Sequence, residues 1–268
     1  MALSEHKNNL LSNYCLEEYT STHRPAIFFG CYPGALGNIS DAASVRLHKS
    51  IGIIVWFGGD IRKFKDRLLS GSKQHKARSF LNFLLTNRKR IKHIAISDFI
   101  HNDLCEMGLK PIDLLIAPAI CNKFAPVPLG DEVYVYSSES DPFLYGFDIV
   151  KKLKSRLKDI SFRICKNRSS NNYDSMSSVY SKCFIGLRPT RHDGLSNTVI
   201  ELGLMGRKCI WNGGRLSNSV PFKTINDIEL SIKKEQENIG QINKILSDKV
   251  RDEMQFNSNW FEKSWYNG

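Results

Sequence analysis

Short apolar runs alternate with amphipathic stretches along this chain, the rhythm of strands covered by helices in an α/β fold. Residues 25–32 (PAIFFGCY) predict a buried strand ending in the turn Pro33-Gly34, where Gly34 either faces a cleft or only turns the chain. From about Ser40, SDAASVRLHKS has a capping serine and helical spacing. Residues 51–57 (IGIIVWF) predict the next strand, closed by a turn at Gly58-Gly59-Asp60, and basic amphipathic segments follow at 61–69 and 77–87. IKHIAI at 91–96 reads as a strand, Ser97 as the cap of a helix over 98–107, and 114–117 as a short strand.

A connector bearing Pro118, Pro126 and Pro128 then interrupts the rhythm, which restarts beyond Gly130. Strands are expected at 133–137, 160–165, 183–187 and 208–211, with helices at 145–157, 175–181 and 196–205 and a loop at 167–174. The chain from Ile225 reads as largely helical and ends in the aromatic-rich NSNWFEKSWYNG. Most strands are apolar on both faces, as parallel sheets covered by helices require. Two doubly wound, Rossmann-like domains account for this pattern; one larger sheet is the alternative.

Composition places the chain among ordinary globular proteins: 268 residues, 41% hydrophobic and 24% charged. No apolar run approaches the roughly 20 residues that span a bilayer, and the N-terminus reads as no secretory signal, so a cytoplasmic location is expected. Seven cysteines are scattered singly, with no C-x-x-C pair, which argues against a zinc ribbon or a dithiol redox motif. Cys183 and Cys209 sit in apolar stretches and read as buried thiols. The formal charge of +11 suits phosphates, anionic lipid head groups or acidic substrates, and equally a plain lysine-rich surface.

The most informative stretch is GLRPTRHDGLSNTVIELGLMGRKCIWNG, residues 186–213. A strand ends in Arg188-Pro189-Thr190, and a polar loop leads into a helix. Asp193 lies in that loop and Glu201 lies eight residues on, inside the helix. The turn Gly194-Leu195-Ser196-Asn197-Thr198 brings backbone N–H groups to the helix N-terminus, where unpaired amides and the helix dipole favour an anion. Asp193 could also be only a cap, and Arg188 only an ion-pair partner. His192 suggests a base but reads equally as a solvated loop histidine. Glu201 within VIELGLMG is harder to dismiss, since a carboxylate on an apolar stripe is costly unless it is paired or liganded.

This segment resembles the donor-binding motif of retaining glycosyltransferases of family 4, which have the two-domain GT-B architecture. Their consensus pairs two acidic residues with seven between them, the first followed by Gly; here the pair is Asp193-Gly194 and Glu201, with Asp193 in place of the commoner Glu. The resemblance covers about 28 residues. It implies that Asp193 orients the donor sugar and that Glu201 holds the ribose hydroxyls. The amides of Gly194, Leu195, Ser196, Asn197 and Thr198, the Thr198 hydroxyl and Arg188 would then meet the diphosphate. On this view the fold is α/β, two Rossmann-like doubly wound domains with a cleft between them. Residues 1–125 form the acceptor side, 126–250 the nucleotide-sugar side, and 251–268 a helix returning to the first domain, anchored by Trp260, Phe261, Trp265 and Tyr266. A membrane-surface anchor is the other reading of that aromatic end.

Family members also carry an Arg and then a Lys after the first strand of the second domain. The corresponding loop here, residues 137–146, has neither, so Arg188 or Arg191 would have to supply that charge. Asp60 holds the place of an acceptor-side catalytic residue, and reads equally as a cap for the helix from Ile61. With no D-x-D triplet (Glu139-Ser140-Asp141 comes nearest), no metal-bound diphosphate is expected.

The expected function is transfer of a sugar from a nucleotide-diphosphate sugar, a UDP- or GDP-sugar, with retention and without a metal or further cofactor. The acceptor is expected to be a glycan or lipid-linked glycan, which would bring the protein to the membrane periphery. Alternatives are a hydroxymethylated base in DNA as acceptor, and a non-catalytic basic nucleic-acid-binding protein. A nucleotide-dependent dehydrogenase is disfavoured by the missing G-x-G-x-x-G.

Overall fold

The computed structural model describes residues 17, 19, 21–31, 41–69, 74–114, 123–136, 141–165 and 176–254. Gly34, Cys15, Cys121, the loop at 167–174 and the aromatic residues 260–266 lie outside these. The described residues fall into two compact units. The first holds those up to 114 together with Asp193–Leu195; the second holds 123–192 and 196–254.

The first unit contains β1 (Ala26–Phe29), α1 (Asp41–Leu47), β2 (Gly52–Trp56), α2 (Gly58–Leu69), α3 (Gln74–Thr86), β3 (Ile91–Ala95), α4 (Asp98–Glu106) and β4 (Pro111–Asp113). Its four strands are parallel and stand in chain order, β1-β2-β3-β4. Every residue of β2 is buried, which is why its sequence is continuously apolar rather than alternating. Ile53, Ile54, Val55 and Trp56 are at 0% exposure and anchor the core with Phe64, Phe80 and Leu104.

The described strands of this unit stand in chain order, so a doubly wound reversal is not found among them. A strand occupies Pro111–Asp113, and most of the strand expected at 114–117 lies outside the described residues. One expectation is corrected. The glycines at 58 and 59 do not form a turn after β2 but open α2 directly, so Asp60 lies in the helix's first turn. Close backbone approach explains Gly58: a Cβ there would lie 2.5 Å from the Gly194 nitrogen.

The second unit contains β5 (Glu132–Tyr136), α5 (Phe147–Arg156), β6 (Ser161–Cys165), α6 (Met176–Ser181), β7 (Cys183–Leu187), α7 (Asn197–Leu204), β8 (Lys208–Ile210), β9 (Ser219–Val220), α8 (Ile225–Gln236) and α9 (Lys244–Glu253). Its parallel sheet runs β6-β5-β7-β8-β9. The chain moves outward from β5 to β6, then returns to the other side of β5 to form β7. That reversal makes a topological switch point between β5 and β7, and in open α/β sheets such a point opens a crevice at the carboxyl ends of the strands.

Two features of this unit escaped the pattern reading. The two-residue strand β9 is too short to show a period, and it exists because Cys209 and Trp211 donate to the Asn218 and Val220 carbonyls at 2.8 and 3.0 Å. Arg207, at 0% exposure, lies just after α7. Its guanidinium donates to the carbonyls of Tyr180, Cys183, Val127, Pro128, Ser181 and Met205, tying the connector to α6 and β7. Among the described residues, no helix is long and apolar enough to cross a membrane.

Candidate functional site

The switch point is built by the last residues of two neighbouring strands. In the β5–β7 register Val135 stands opposite Leu187, so the next residues along, Tyr136 and Arg188, are neighbours. The Arg188 guanidinium lies 4.4 Å from the centroid of the Tyr136 ring, whose edge meets Tyr145 at 5.6 Å. Arg188 is buried, and its backbone N–H is held by the Ile210 carbonyl at 3.0 Å. A planar cation stacked on an aromatic ring loses little freedom in presenting its N–H edge, the geometry suited to phosphate oxygens.

The loop after β5 is drawn against the segment after β7. Gly146, which caps α5, adopts φ +63°, and a Cβ there would lie 2.2 Å from the Pro189 carbonyl oxygen. Arg191 reaches the same loop: its backbone N–H donates to the Leu144 carbonyl at 2.8 Å, and its guanidinium lies 4.0 Å from the centre of the Phe143 ring. It also makes two-pronged contacts of 3.0–3.1 Å to Asp148 in the first turn of α5. The Asp148 carboxyl is held below its ordinary range chiefly by that guanidinium. Of the two arginines that the sequence offers in place of the missing basic pair, Arg191 is thus engaged with α5, while Arg188 stands at the strand ends.

Helix α7 begins at Asn197, one residue later than expected, and Ser196 is its cap. The Ser196 side chain makes no capping bond, while its carbonyl receives Val199 and Ile200 at 3.0 and 3.2 Å. A helix start leaves its leading amides without partners inside the helix, so those of Asn197 and Thr198 are positioned for an anion. Every residue of α7 from Thr198 to Leu204 is buried, Glu201 at 5% exposure. The Glu201 carboxylate accepts from the Tyr180 hydroxyl at 2.7 Å. Tyr180 meets Tyr134 edge-on at 4.9 Å, and burial pushes its pKa well up, so it serves as a donor.

Sequence reasoning did not single out Tyr136, Tyr180 or Tyr134. Tyr136 lies within the strand expected at 133–137, but nothing in the sequence marks where the strand order reverses. Nothing in the sequence links Tyr180 to Glu201.

The expected site residues divide between the units. Arg188, Ser196, Asn197, Thr198 and Glu201 belong to the second, whereas Asp193, Gly194 and Leu195 pack with the first. There the Asp193 carbonyl accepts from the Ser97 hydroxyl at 3.0 Å, so Ser97 serves as more than a cap, although its oxygen also receives Ile100 N–H at 3.4 Å. One Asp193 carboxylate oxygen accepts from Gly194 N–H at 3.0 Å, and Leu195 packs on the core of the first unit.

Asp60 is fully enclosed, and its carboxylate accepts from the backbone N–H groups of Cys31 at 2.9 Å and Ile61 at 2.7 Å. Burial raises its pKa to about 7 against the pull of those amides. In this arrangement Asp60 ties the end of β1 to the start of α2.

The first unit also has a surface groove of about 450 Å³ lined by Gln74, His75, Arg78, Ser79 and Asn82 of α3. Beside it, Arg46 donates to Ser79 at 3.0 Å and lies over the rings of Phe80 and Phe83. No acidic residue occurs between Asp66 and Asp98.

No protein-family model matches this chain, and no curated protein matches it in sequence. Solved structures do match. The crystal structure of TarM aligns with a TM-score of 0.55 at 13% identity, covering 97% of this chain and 58% of TarM. The sucrose-phosphate synthase of Thermosynechococcus elongatus aligns at a TM-score of 0.48 and 10% identity, over 81% of this chain and 67% of that one. A point mutant of S. aureus TarM, in complex with fondaparinux, alpha-GlcNAc-glycerol and UDP, aligns at 0.47 and 11% identity, over 85% and 58%. At 13% identity the likeness to TarM is one of fold alone. The chain spans somewhat over half the length of TarM.

Proposed function

We propose that this chain is a glycosyltransferase that takes a sugar from a nucleotide-diphosphate sugar held at the β5–β7 switch point. The observation that carries the reading is the Arg188 guanidinium lying over Tyr136 at the strand ends, with the helix that follows β7 carrying a buried Glu201. Glu201 binds the ribose hydroxyls, with one carboxylate oxygen fixed by Tyr180. Arg188 and the amides at Ser196, Asn197 and Thr198 take the diphosphate, and fixed dipoles aimed at a departing diphosphate stabilise its growing charge. Transfer proceeds with retention and without a metal.

The acceptor in this reading is a glycan or lipid-linked glycan bearing negative charge, taken up on the first unit. Eight Lys and Arg residues from Arg67 to Lys92, uninterrupted by any acid, support a polyanion. A hydroxymethylated base in DNA satisfies the same charge and is the second acceptor to assay.

Thermal unfolding with a panel of UDP- and GDP-sugars at millimolar concentration tests the donor site. One of them is expected to raise the melting temperature by a few degrees, the response of a ligand well above its Kd. Glu201→Ala should abolish that shift. No stabilisation by any nucleotide or nucleotide-sugar would overturn the proposal.

A further inference from the structure

Away from the switch point, the first unit brings a thiol, an imidazole and a carboxylate into one line. His101 and Cys105 are four residues apart on α4, one turn along the same face. Asp113 ends β4, which returns beside α4 after a turn at Gly108 with φ +79°. His101 Nδ1 stands 2.7 Å from Asp113 Oδ1, and His101 Nε2 stands 3.4 Å from Cys105 Sγ. Because a carboxylate only accepts, the short contact puts a proton on Nδ1, and in the neutral ring Nε2 is then the acceptor facing the thiol. This is the order nucleophile, base, orienting acid that activates cysteines elsewhere.

Cys105 differs from the other described thiols. Cys31, Cys183 and Cys209 are buried and Cys165 is partly so, whereas Cys105 is exposed. Burial pushes the Cys183 thiol up to about 12 and raises that of Cys165, which disfavours their thiolates. Only at Cys105 does a described thiol combine solvent access with a base whose second nitrogen is held by a carboxylate.

We propose that Cys105, His101 and Asp113 form a thiol-exchange site that captures small soluble disulfides as a reversible covalent modification. The Cys105 S–H proton passes to His101 Nε2 as the sulfur attacks one sulfur of the disulfide. A new S–S bond forms to Cys105 and the incoming S–S bond breaks. The departing thiolate takes a proton from the imidazolium or from water. No net oxidant is needed beyond the disulfide itself, and a small thiol reverses the step. Asp113 is a positioning residue that fixes the imidazole tautomer. The exposed helix face suits a small electrophile, because exchange requires only the nucleophile, its base and in-line access.

The test uses the full chain with oxidised glutathione at neutral pH and follows each cysteine by peptide mass mapping over time. Cys105 should form the mixed disulfide faster than Cys165. His101→Gln and Asp113→Asn should each slow Cys105 by about tenfold, within the roughly thirtyfold ceiling set by the few per cent of thiolate in an ordinary thiol at pH 7. Asp113→Glu should restore most of the rate, which a merely structural role would not predict. Repeating the series with uncharged iodoacetamide should give the same ranking, separating base activation from altered attraction of an anionic reagent. Asp113 is half exposed at a strand end, so its substitutions leave the core in place. A Cys105 rate within twofold of the parent in both His101→Gln and Asp113→Asn, or a rate no faster than that of Cys165, overturns the proposal.

Discussion

The Tyr180 hydroxyl donates to Glu201 Oε2 at 2.7 Å within the interior of the second unit, joining two residues 21 positions apart in the chain. A buried carboxylate that loses a donor bears the cost of its own desolvation. Tyr180→Phe should therefore cost about 1–3 kcal/mol of stability, read as a lowered urea midpoint. It should also weaken any nucleotide-sugar shift without abolishing it. An unchanged midpoint would show that the hydroxyl does not hold Glu201.

Arg188 combines charge with planarity. Replacing it with Lys keeps the charge but removes the stacked fork over Tyr136. Titration calorimetry with UDP and GDP should show about tenfold weaker binding for Arg188→Lys, equivalent to the 1–2 kcal/mol of a desolvated cation–aromatic contact, and a greater loss for Arg188→Ala. Equal affinity of the Lys variant and the parent would remove the stack from the binding account.

Asp60 gives the fold a pH dependence of definite sign. Its carboxyl titrates from an ordinary 3.8 in the unfolded chain to about 7 in the folded one, because burial disfavours the charge. A folded-state pKa that is raised means the native protein binds the proton more tightly. The stabilisation is complete below about pH 4 and is lost as pH rises through about 7. The shift corresponds to about 4 kcal/mol. The parent should thus lose stability relative to Asp60→Asn between pH 5 and pH 8, and melting curves of both proteins across that window supply the difference. A constant difference would contradict the assignment.

Arg207 is fully buried, and its partners are backbone carbonyls. Arg207→Met fills much of the same space but strands those carbonyls without a donor. A loss of about 3–5 kcal/mol is expected, as when one partner of a buried charged contact is removed. Denaturant unfolding measures it, and a loss under about 1 kcal/mol would mean that water replaces the guanidinium.

Much of this architecture could be read from local pattern. The strand Cys183–Leu187 was expected with the bounds it has, because a fully buried strand carries an unbroken apolar run, and α7 within a residue at either end, because a polar turn leads into its mostly apolar helical run. The acidic pair Asp193 and Glu201 was also visible, since seven intervening residues and a following glycine are properties of the chain itself. The start of α2 was not legible. Paired glycines normally signal a turn, and here the proximity of Gly194, 136 positions later in the chain, makes a glycine necessary at position 58, the first residue of a helix.

The sequence alone determined the kind of layers, the positions of most strands and helices, and the spacing of the acidic pair Asp193 and Glu201. Those properties depend on side-chain periodicity and residue type over a few turns of chain. Tertiary structure alone decided that the reversal of strand order falls between β5 and β7, that Tyr136 carries Arg188, and that Tyr180 reaches Glu201. It likewise set Asp60 against the Cys31 amide and aligned Cys105, His101 and Asp113. Each is a contact between groups that meet only after the strands have been ordered, and strand order is fixed by packing of the whole unit rather than by any local run of residues.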